Sequence, residues 1–231
     1  MTDRAARARG PVVSAAVKRE VVDVCRRLYD RGLIAGAEGN VSVLAQPGRL
    51  LVTPAGVAKA DLRAGDLVEV DLDGRHLRGT GRASTELRVH LRIYRRRPDV
   101  RAVVHAHPPT ATGFAVAGEG FTTGILPELV AQIGWVPLVP YATPGSEELA
   151  EQFEPFLASH DAFLMANHGA TTVGPSLRIA HQRVESLEQS ARILLTARLL
   201  GRVNALPPAA VDALLDLRRR AAEGKGRSGR R

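Results

Sequence analysis

The sequence Arg101-Ala-Val-Val-His105-Ala-His107-Pro108 predicts a short buried strand that ends in two histidines. Side chains alternate between the two faces of a strand, so His105 and His107 should point to the same side, roughly 7 Å apart at the backbone. Two imidazoles held in this way can bind one metal ion through bonds of about 2.0–2.1 Å. Isolated histidines are more often core or surface residues than ligands, so the hypothesis of a metal site depends on further donors.

Two more residues supply candidate donors. His168 lies in the sequence Ala166-Asn-His-Gly169, directly after an apolar run, and is the candidate for the third ligand. Glu86 falls near the start of a predicted helix, where its carboxylate could be a fourth ligand or a base. Three imidazoles from two strands suit a catalytic zinc site that keeps one position open. The pattern therefore predicts a metal-dependent enzyme.

The spacing of apolar residues predicts an α/β fold. Helices are indicated where apolar residues recur every three or four positions, and strands where short apolar runs end at turn residues. The expected helices are 14–31, 84–97, 129–134, 146–157, 177–200 and 208–222, and the expected strands are 41–44, 50–53, 67–70, 76–78, 101–107, 136–139, 161–166 and 171–173. Because the strands cluster in hairpins framed by helices, we expect a mostly antiparallel sheet covered on both faces.

Composition bounds the organisation of the chain. With 231 residues, 45% of them apolar, the chain can bury a proper core, and no linker divides its middle. We expect a disordered basic N-terminus at 1–13, a single domain over 14–222 and a disordered basic tail at 223–231. The net charge of +8 is concentrated in those ends, and aromatic residues make up only 4% of the chain. Nucleic-acid binding is therefore not expected.

The sequence also bears on where the protein works. Cys25 is the only cysteine, which excludes an internal disulfide, and no apolar run is long enough to cross a membrane. The N-terminus lacks the apolar centre of a signal peptide. These features predict a cytoplasmic protein without a membrane partner.

Three short segments are candidates for binding an anion. Ser84-Thr85-Glu86 opens a predicted helix, where free backbone N–H groups and two hydroxyls can bind a negatively charged group. Gly39-Asn40 and Ala55-Gly56 are turns in which backbone amides can approach a phosphate. Each segment alone is a weak signal, and Ser84 as a plain helix N-cap is the simpler explanation.

These motifs, in this order, resemble the class II aldolase/adducin family, and within it the L-fuculose-1-phosphate aldolase type most closely. The resemblance extends roughly from Val17 to Leu200. The motifs that carry it are Gly39-Asn-Val-Ser42, Thr53-Pro-Ala-Gly56, Ser84-Thr-Glu86, Val103-Val-His-Ala-His107, Pro140-Tyr-Ala-Thr143 and Asn167-His-Gly169.

The resemblance implies a three-layer α/β/α fold and a C4 homotetramer with active sites at the subunit boundaries. It implies one Zn²⁺ per subunit, held by His105, His107 and His168, with Glu86 as the catalytic carboxylate. The residues that would bind the substrate phosphate are Gly39, Asn40, Ala55, Gly56, Ser84 and Thr85.

Several positions depart from the aldolase type. Ala55 replaces a hydroxyl residue, which removes one phosphate donor. The aldolases resembled also use two tyrosines as proton donors, one in the region matching 126–128 and one in the C-terminal tail. The only tyrosines here are Tyr29, Tyr94 and Tyr141, and Glu128 could fill part of the first missing phenol's space. The 4-epimerases of the family carry Asp where this chain has Glu86, which disfavours epimerisation.

The leading hypothesis from the sequence is a class II aldehyde-lyase. It would cleave a small sugar phosphate such as L-fuculose 1-phosphate to dihydroxyacetone phosphate and an aldehyde through a metal-stabilised enediolate. A related zinc lyase, either a decarboxylase or a dehydratase, is the first alternative, because the missing tyrosines permit it. A non-catalytic adducin-like protein is the second, although it would not need the histidine set. Zinc is favoured by the imidazoles, while manganese or cobalt could also serve.

Overall fold

The computed structural model describes residues 12–122 and 124–228. Its strands are β1 (Asn40–Gln46), β2 (Arg49–Val52), β3 (Val68–Asp71), β4 (His76–Arg78), β5 (Ala102–Ala106), β6 (Leu138–Val139), β7 (Ala162–Met165) and β8 (Gly169–Gly174). Its helices are α1 (Ala15–Asp30), α2 (Leu87–Arg96), α3 (Pro109–Val116), α4 (Pro127–Gln132), α5 (Glu147–Gln152), α6 (Glu154–Leu157), α7 (Leu177–Leu199) and α8 (Pro208–Ser228). The predictions for residues 1–11 and 229–231 lie outside the described residues.

The strands form one eight-stranded sheet in the order β4-β3-β2-β1-β5-β8-β7-β6. Neighbouring strands pair antiparallel, except β6 and β7, which pair in parallel. The histidine-bearing strand β5 therefore lies in the interior of the sheet, between β1 and β8. The predicted mostly antiparallel sheet is confirmed.

Helices cover both faces of this sheet. Val103 packs in a cluster with residues of α2, α5 and α6, such as Ile93 and Leu149. Its neighbour Val104 points the other way and packs in a cluster with α1 and α7 residues, such as Leu28 and Val184. This alternation on a buried strand is the reason that β5 is apolar on both sides. The predicted three-layer α/β/α fold is confirmed.

The predicted helix start at Ser84 is wrong. Helix α2 begins at Leu87, and its N-cap position is Glu86, which makes no side-chain cap hydrogen bond. Residues 84–86 form a turn instead: the Ser84 hydroxyl accepts from Glu86 N at 3.3 Å, and its carbonyl accepts from Leu87 N. A serine hydroxyl bonds a nearby amide equally well in a turn and in a cap. The turn leaves Glu86 at the junction with the helix.

Helix α3, directly after His107 and Pro108, has no counterpart in the prediction. Its sequence Pro109-Thr-Ala-Thr-Gly-Phe-Ala-Val contains glycine and β-branched residues that disfavour a helix. The buried carboxylate of Glu188, far along the chain, accepts hydrogen bonds from Thr110 N and Ala111 N. A tertiary contact thus stabilises the first turn of this helix.

Val13, assigned to the disordered N-terminal segment, is buried in the core, and α8 extends to Ser228, past the expected end at 222. The assignment of residues 14–222 to one domain stays a prediction. Across the described part of the chain, none of the helices combines the length and apolar character needed to span a bilayer.

Candidate metal centre

Three histidines meet at one end of β5 and β8. His105 is the fourth residue of β5, His107 follows the strand, and His168 lies in the tight turn between β7 and β8. Because Ala106 pairs with Ala170, this turn lies beside the end of β5. The ring centroids are 4.8–5.2 Å apart, and a ligand nitrogen from each ring can be chosen such that all lie within 4.8 Å of one another. The structure thus brings together the histidines selected from the sequence.

Two glycines permit this close approach. A Cβ atom at Gly169 would lie 2.5 Å from Cδ2 of His107 and 2.7 Å from the carbonyl oxygen of Ala106. A Cβ atom at Gly39 would lie 2.7 Å from the carbonyl oxygen of His105, and Gly39 also has a φ of +66°. Any other residue at either position would push the histidine strand away from its neighbours.

Hydrogen bonds set the tautomer of two of the rings. Nδ1 of His105 lies 3.0 Å from the carbonyl oxygen of Ala170, and Nδ1 of His107 lies 3.1 Å from Oε2 of Glu38. Both oxygens are acceptors, so each Nδ1 carries the hydrogen and each Nε2 presents a lone pair. These two Nε2 atoms are 3.0 Å apart. Two facing lone pairs repel each other, and a shared cation converts that repulsion into coordination, so the site fits a divalent metal ion.

Burial keeps these imidazoles in the neutral form that metals bind. The pKa of His105 is lowered to about 3, mainly because the buried ring cannot be hydrated when charged, although the nearby Glu86 carboxylate opposes the shift. Burial also lowers the pKa of His107, with His168 adding to the effect. Near neutral pH both rings are therefore ready to act as ligands without losing a proton first.

Glu86 lies against two of the histidines. Its Oε2 is 3.2 Å from Nε2 of His105 and accepts a hydrogen bond from Nδ2 of Asn40 at 2.6 Å, while its Oε1 is 3.0 Å from Nε2 of His168. Burial alone would raise the pKa of this carboxyl group. The side-chain hydrogen bonds from His168 and Asn40 stabilise the carboxylate against burial, and the pKa lies well below its usual range. Glu86 is therefore ionised at neutral pH.

The predicted phosphate-binding residues lie on two neighbouring loops next to Glu86. A bridge between Pro54 and Ala83 places the Ala55-Gly56 turn beside the Ser84-Thr85 segment. The amide of Ala55 already donates to the carbonyl oxygen of Arg82 at 2.8 Å.

The other predicted phosphate residues belong to the start of β1. Asn40 is the first residue of that strand, after Gly39, and its side-chain nitrogen is committed to Glu86. A phosphate-binding role for the six residues stays a prediction.

Glu38 is the site residue that sequence reasoning missed. Its carboxylate is half exposed and contacts His107, which follows it by 69 positions in the chain. The only sequence signal is its place directly before the Gly39-Asn40 turn. That position could not be linked to His107 before the fold was known.

Comparisons with known proteins agree with this geometry. The family model described as "Class II Aldolase and Adducin N-terminal domain" matches residues 19–195. The chain belongs to this family.

Its relatives include enzymes of two kinds. The chain is 36% identical to 3-oxo-tetronate 4-phosphate decarboxylase of Pectobacterium atrosepticum, over 77% of this chain and 83% of that protein. It is 33% identical to L-fuculose phosphate aldolase of Methanocaldococcus jannaschii, over 77% and 95% respectively. The crystal structure of L-fuculose-1-phosphate aldolase from Thermus thermophilus matches with a TM-score of 0.73 at 35% identity, covering 84% of this chain and 100% of that one.

These findings confirm the predicted family and the prediction of a lyase, because aldolases and decarboxylases are both lyases that break carbon–carbon bonds. They do not distinguish between the two reactions. Members of the class II aldolase family depend on a metal, and the histidine cluster could hold one.

Proposed function

We propose that this protein is a metal-dependent decarboxylase of a phosphorylated 3-oxo acid, of the type of 3-oxo-tetronate 4-phosphate. This places the decarboxylase alternative ahead of the aldolase that the sequence favoured. The observation that carries the choice is that the chain lacks the two tyrosines that the resembled aldolases use as proton donors for the aldehyde half of the substrate. Tyr29 and Tyr141 are exposed, whereas Tyr94 is buried with its hydroxyl bonded to Ser42.

The two reactions differ in their need for that phenol. Aldol cleavage requires a base that removes the proton from the hydroxyl group that becomes the aldehyde. A carboxylate has already lost its proton at neutral pH, so carbon dioxide can leave without such a base. Both reactions leave the same kind of negatively charged enediolate behind. A site that keeps its histidines and Glu86 but lacks the tyrosines therefore suits decarboxylation.

In this proposal His105, His107 and His168 hold one divalent ion, and zinc is the ion that three imidazoles favour. When bound, the ion would polarise the substrate carbonyl and stabilise the negative charge that develops on cleavage, which is worth several kcal/mol. The neutral state of His105 and His107 supports this role, because neither ring has to lose a proton to bind the ion.

Glu86 is the group of this chain that moves the proton. Its ionised carboxylate takes the proton of the substrate hydroxyl next to the breaking bond. The electron pair of that bond stays on the hydroxyl-bearing carbon as carbon dioxide departs, and Glu86 returns the proton to this carbon. A solvent proton then completes the product hydroxyl. Asn40, which donates to Oε2, keeps the carboxylate turned toward the histidines.

The substrate phosphate would bind among three segments near Glu86. The Gly39-Asn40 turn, the Ala55-Gly56 turn and the hydroxyls of Ser84 and Thr85 are the groups proposed to contact it. Binding of the phosphate there would position the rest of the substrate for cleavage.

A direct comparison of substrates tests the proposal. The purified, metal-loaded protein is given 3-oxo-tetronate 4-phosphate, with release of carbon dioxide as the readout, and separately L-fuculose 1-phosphate, with release of the aldehyde as the readout. We expect a much higher kcat/KM for the oxo acid. Efficient cleavage of the sugar phosphate with no release of carbon dioxide would contradict the proposal.

Aldol cleavage is the second candidate, and the aldolase relatives are the observation that favours it. Glu128 would then act in place of the missing tyrosine. Its side chain lines a cleft of about 640 Å³ that also includes Leu33, whose carbonyl oxygen accepts from His107 N. Loss of aldehyde release in Glu128→Gln would support this candidate.

The remaining predictions are carried forward as part of the proposal. We propose a cytoplasmic homotetramer with one zinc ion per subunit and a small phosphorylated substrate as its partner. No nucleic acid or membrane partner is proposed.

A further inference from the structure

The loop between α1 and β1 contacts the proposed metal centre through one carboxylate. Glu38 Oε2 lies 3.1 Å from Nδ1 of His107, and its side chain remains 50% exposed. The same oxygen lies 3.4 Å from the amide nitrogen of Ala35, which closes the loop on itself. Of the two strand-end histidines, His105 is oriented by a backbone carbonyl, whereas His107 depends on a side chain.

A buried lysine, Lys59, hydrogen-bonds to the backbone of the loop between α1 and β1. Lys59 is only 2% exposed, and its Nζ donates to the carbonyl oxygens of Ala37 at 3.0 Å and Val57 at 3.2 Å. Its own amide donates to the carbonyl oxygen of Gly36 at 3.0 Å. Lys59 forms no ion pair with a carboxylate among the residues that the structure describes. A buried cation is costly, so its carbonyl partners must stay in place to compensate it.

We propose that Glu38 is a positioning residue that sets the affinity of the centre for its metal, and that Lys59 acts through Glu38 by fixing the loop that carries it. This inference depends on the metal centre of the proposed function but not on the identity of the substrate. Glu38 holds the His107 ring with Nε2 aimed at the other nitrogens and makes that nitrogen a stronger donor. Partners of this kind typically change metal affinity by about 10–100-fold.

Lys59 is placed to act on the loop rather than on the metal. Its two hydrogen bonds to the loop, from Nζ to Ala37 and from its amide to Gly36, fix the peptide groups on either side of Ala37. The peptide group that leads into Glu38 therefore cannot turn without breaking the bond to Ala37. Removing the ammonium group would release the loop, and the Glu38 side chain would then contact His107 for only part of the time.

Zinc binding to the full-length apoprotein, measured by competition with a chelating dye, tests the role of Glu38. We expect Glu38→Ala to raise the Kd for Zn²⁺ by about 10–100-fold. Glu38→Gln keeps an acceptor for Nδ1 but loses the charge, so its Kd should lie between those of Glu38→Ala and the wild type. The matched control is Glu119→Gln, which removes an exposed carboxylate paired with Arg198 and should leave the Kd unchanged.

A double-mutant cycle tests the role of Lys59. Lys59→Met should weaken zinc binding on its own, but the double variant with Glu38→Ala should bind zinc as Glu38→Ala does. Additive losses would show that Lys59 acts independently and would overturn that part of the inference. Thermal unfolding of each apoprotein confirms that the variants are folded, and the visible spectrum of the Co²⁺-loaded proteins reports whether the ligand geometry has changed.

The outcomes separate this inference from the proposed function. A Kd for Glu38→Ala within about twofold of the wild type would overturn the inference, even if the enzyme releases carbon dioxide as proposed. Weaker zinc binding in Glu38→Ala would support it, even if the substrate proves to be a sugar phosphate. A wild-type protein that binds no zinc would overturn the metal centre and the inference together.

Discussion

The two ends of β8 both carry partly buried charged groups, but only one end pairs each of them with an opposite charge. Beyond one end, the carboxylate of Asp161 pairs with the guanidinium groups of Arg97, Arg183 and Arg218. At the other end, three imidazoles and Glu86 converge with nitrogen lone pairs facing each other. At the arginine end each guanidinium group has a carboxylate partner within the chain, whereas at the histidine end the facing lone pairs need a cation. This difference indicates which buried polar cluster serves the fold and which serves chemistry.

The largest expected effect is the loss of a histidine. His107→Ala should remove the metal, and turnover should fall by about 1,000-fold or more, because several kcal/mol of transition-state stabilisation is lost. Elemental analysis of the purified variant and its kcat measure the two effects. If the variant keeps one metal ion per subunit, the histidine end does not need a cation in the way proposed.

Glu86→Gln should separate binding from chemistry at the same end. The glutamine has the same size and can still accept from Asn40, but it cannot take up the substrate proton. We expect the metal content to be retained and kcat to fall by about 100-fold to 10,000-fold. Full activity in this variant would rule out the proposed role of Glu86.

Asp161→Asn should damage the fold without affecting the metal. Three guanidinium groups would lose their common counter-charge, and breaking such a buried arrangement typically costs about 3–5 kcal/mol. Urea unfolding should report this loss, while the Kd for zinc should stay at the wild-type value. Asp99→Asn is the matched control: this carboxylate is 63% exposed and pairs with Arg97, so its loss should cost less than about 1 kcal/mol.

Lowering the pH should destabilise the folded protein through buried histidines at the histidine end. The pKa of His90, a buried residue on α2, is lowered to about 4 because its charged form cannot be hydrated, and the pKa of His105 is lowered to about 3. Below the ordinary histidine pKa of about 6.5 the unfolded chain takes up protons that the folded chain does not. The free energy of unfolding therefore decreases as the pH is lowered.

Between about pH 6.5 and 4, the apoprotein should lose roughly 5 kcal/mol of unfolding free energy, about half of it through each of these two histidines. The measurement is urea unfolding across this range. Asp161→Asn should show the same slope from a lower starting stability, whereas His90→Asn should show a shallower one. An unchanged slope in His90→Asn would mean that the acid sensitivity arises elsewhere.

The sequence was sufficient where local pattern determines structure. The apolar run in 101–107 predicted a buried strand, and the alternation of side chains on a strand predicted that His105 and His107 share a side. The apolar run before Asn167 predicted β7, and the spacing of three and four predicted α7. His168 was selected as the third ligand because it follows an apolar run, but no local pattern determines which turn lies beside β5, so only the fold shows that its ring meets the other two.

The sequence was insufficient where distant residues determine structure. Helix α3 is stabilised by Glu188, which lies 77 positions beyond Ala111. Glu38 contacts His107 across 69 positions, and the arginines around Asp161 come from three separate helical regions. Propensity and spacing describe only neighbours along the chain, so these contacts become visible only after folding.

The close contacts at Gly39 and Gly169 have a consequence for how this site tolerates change. Neither glycine has a side chain that could bind the metal, yet a single methyl group at either one would displace the backbone that bears the imidazoles. The smallest possible side chain is therefore as much a requirement for ligand geometry as the nitrogen donors themselves. A substitution at Gly39 or Gly169 would therefore disrupt metal coordination, although neither residue is a ligand.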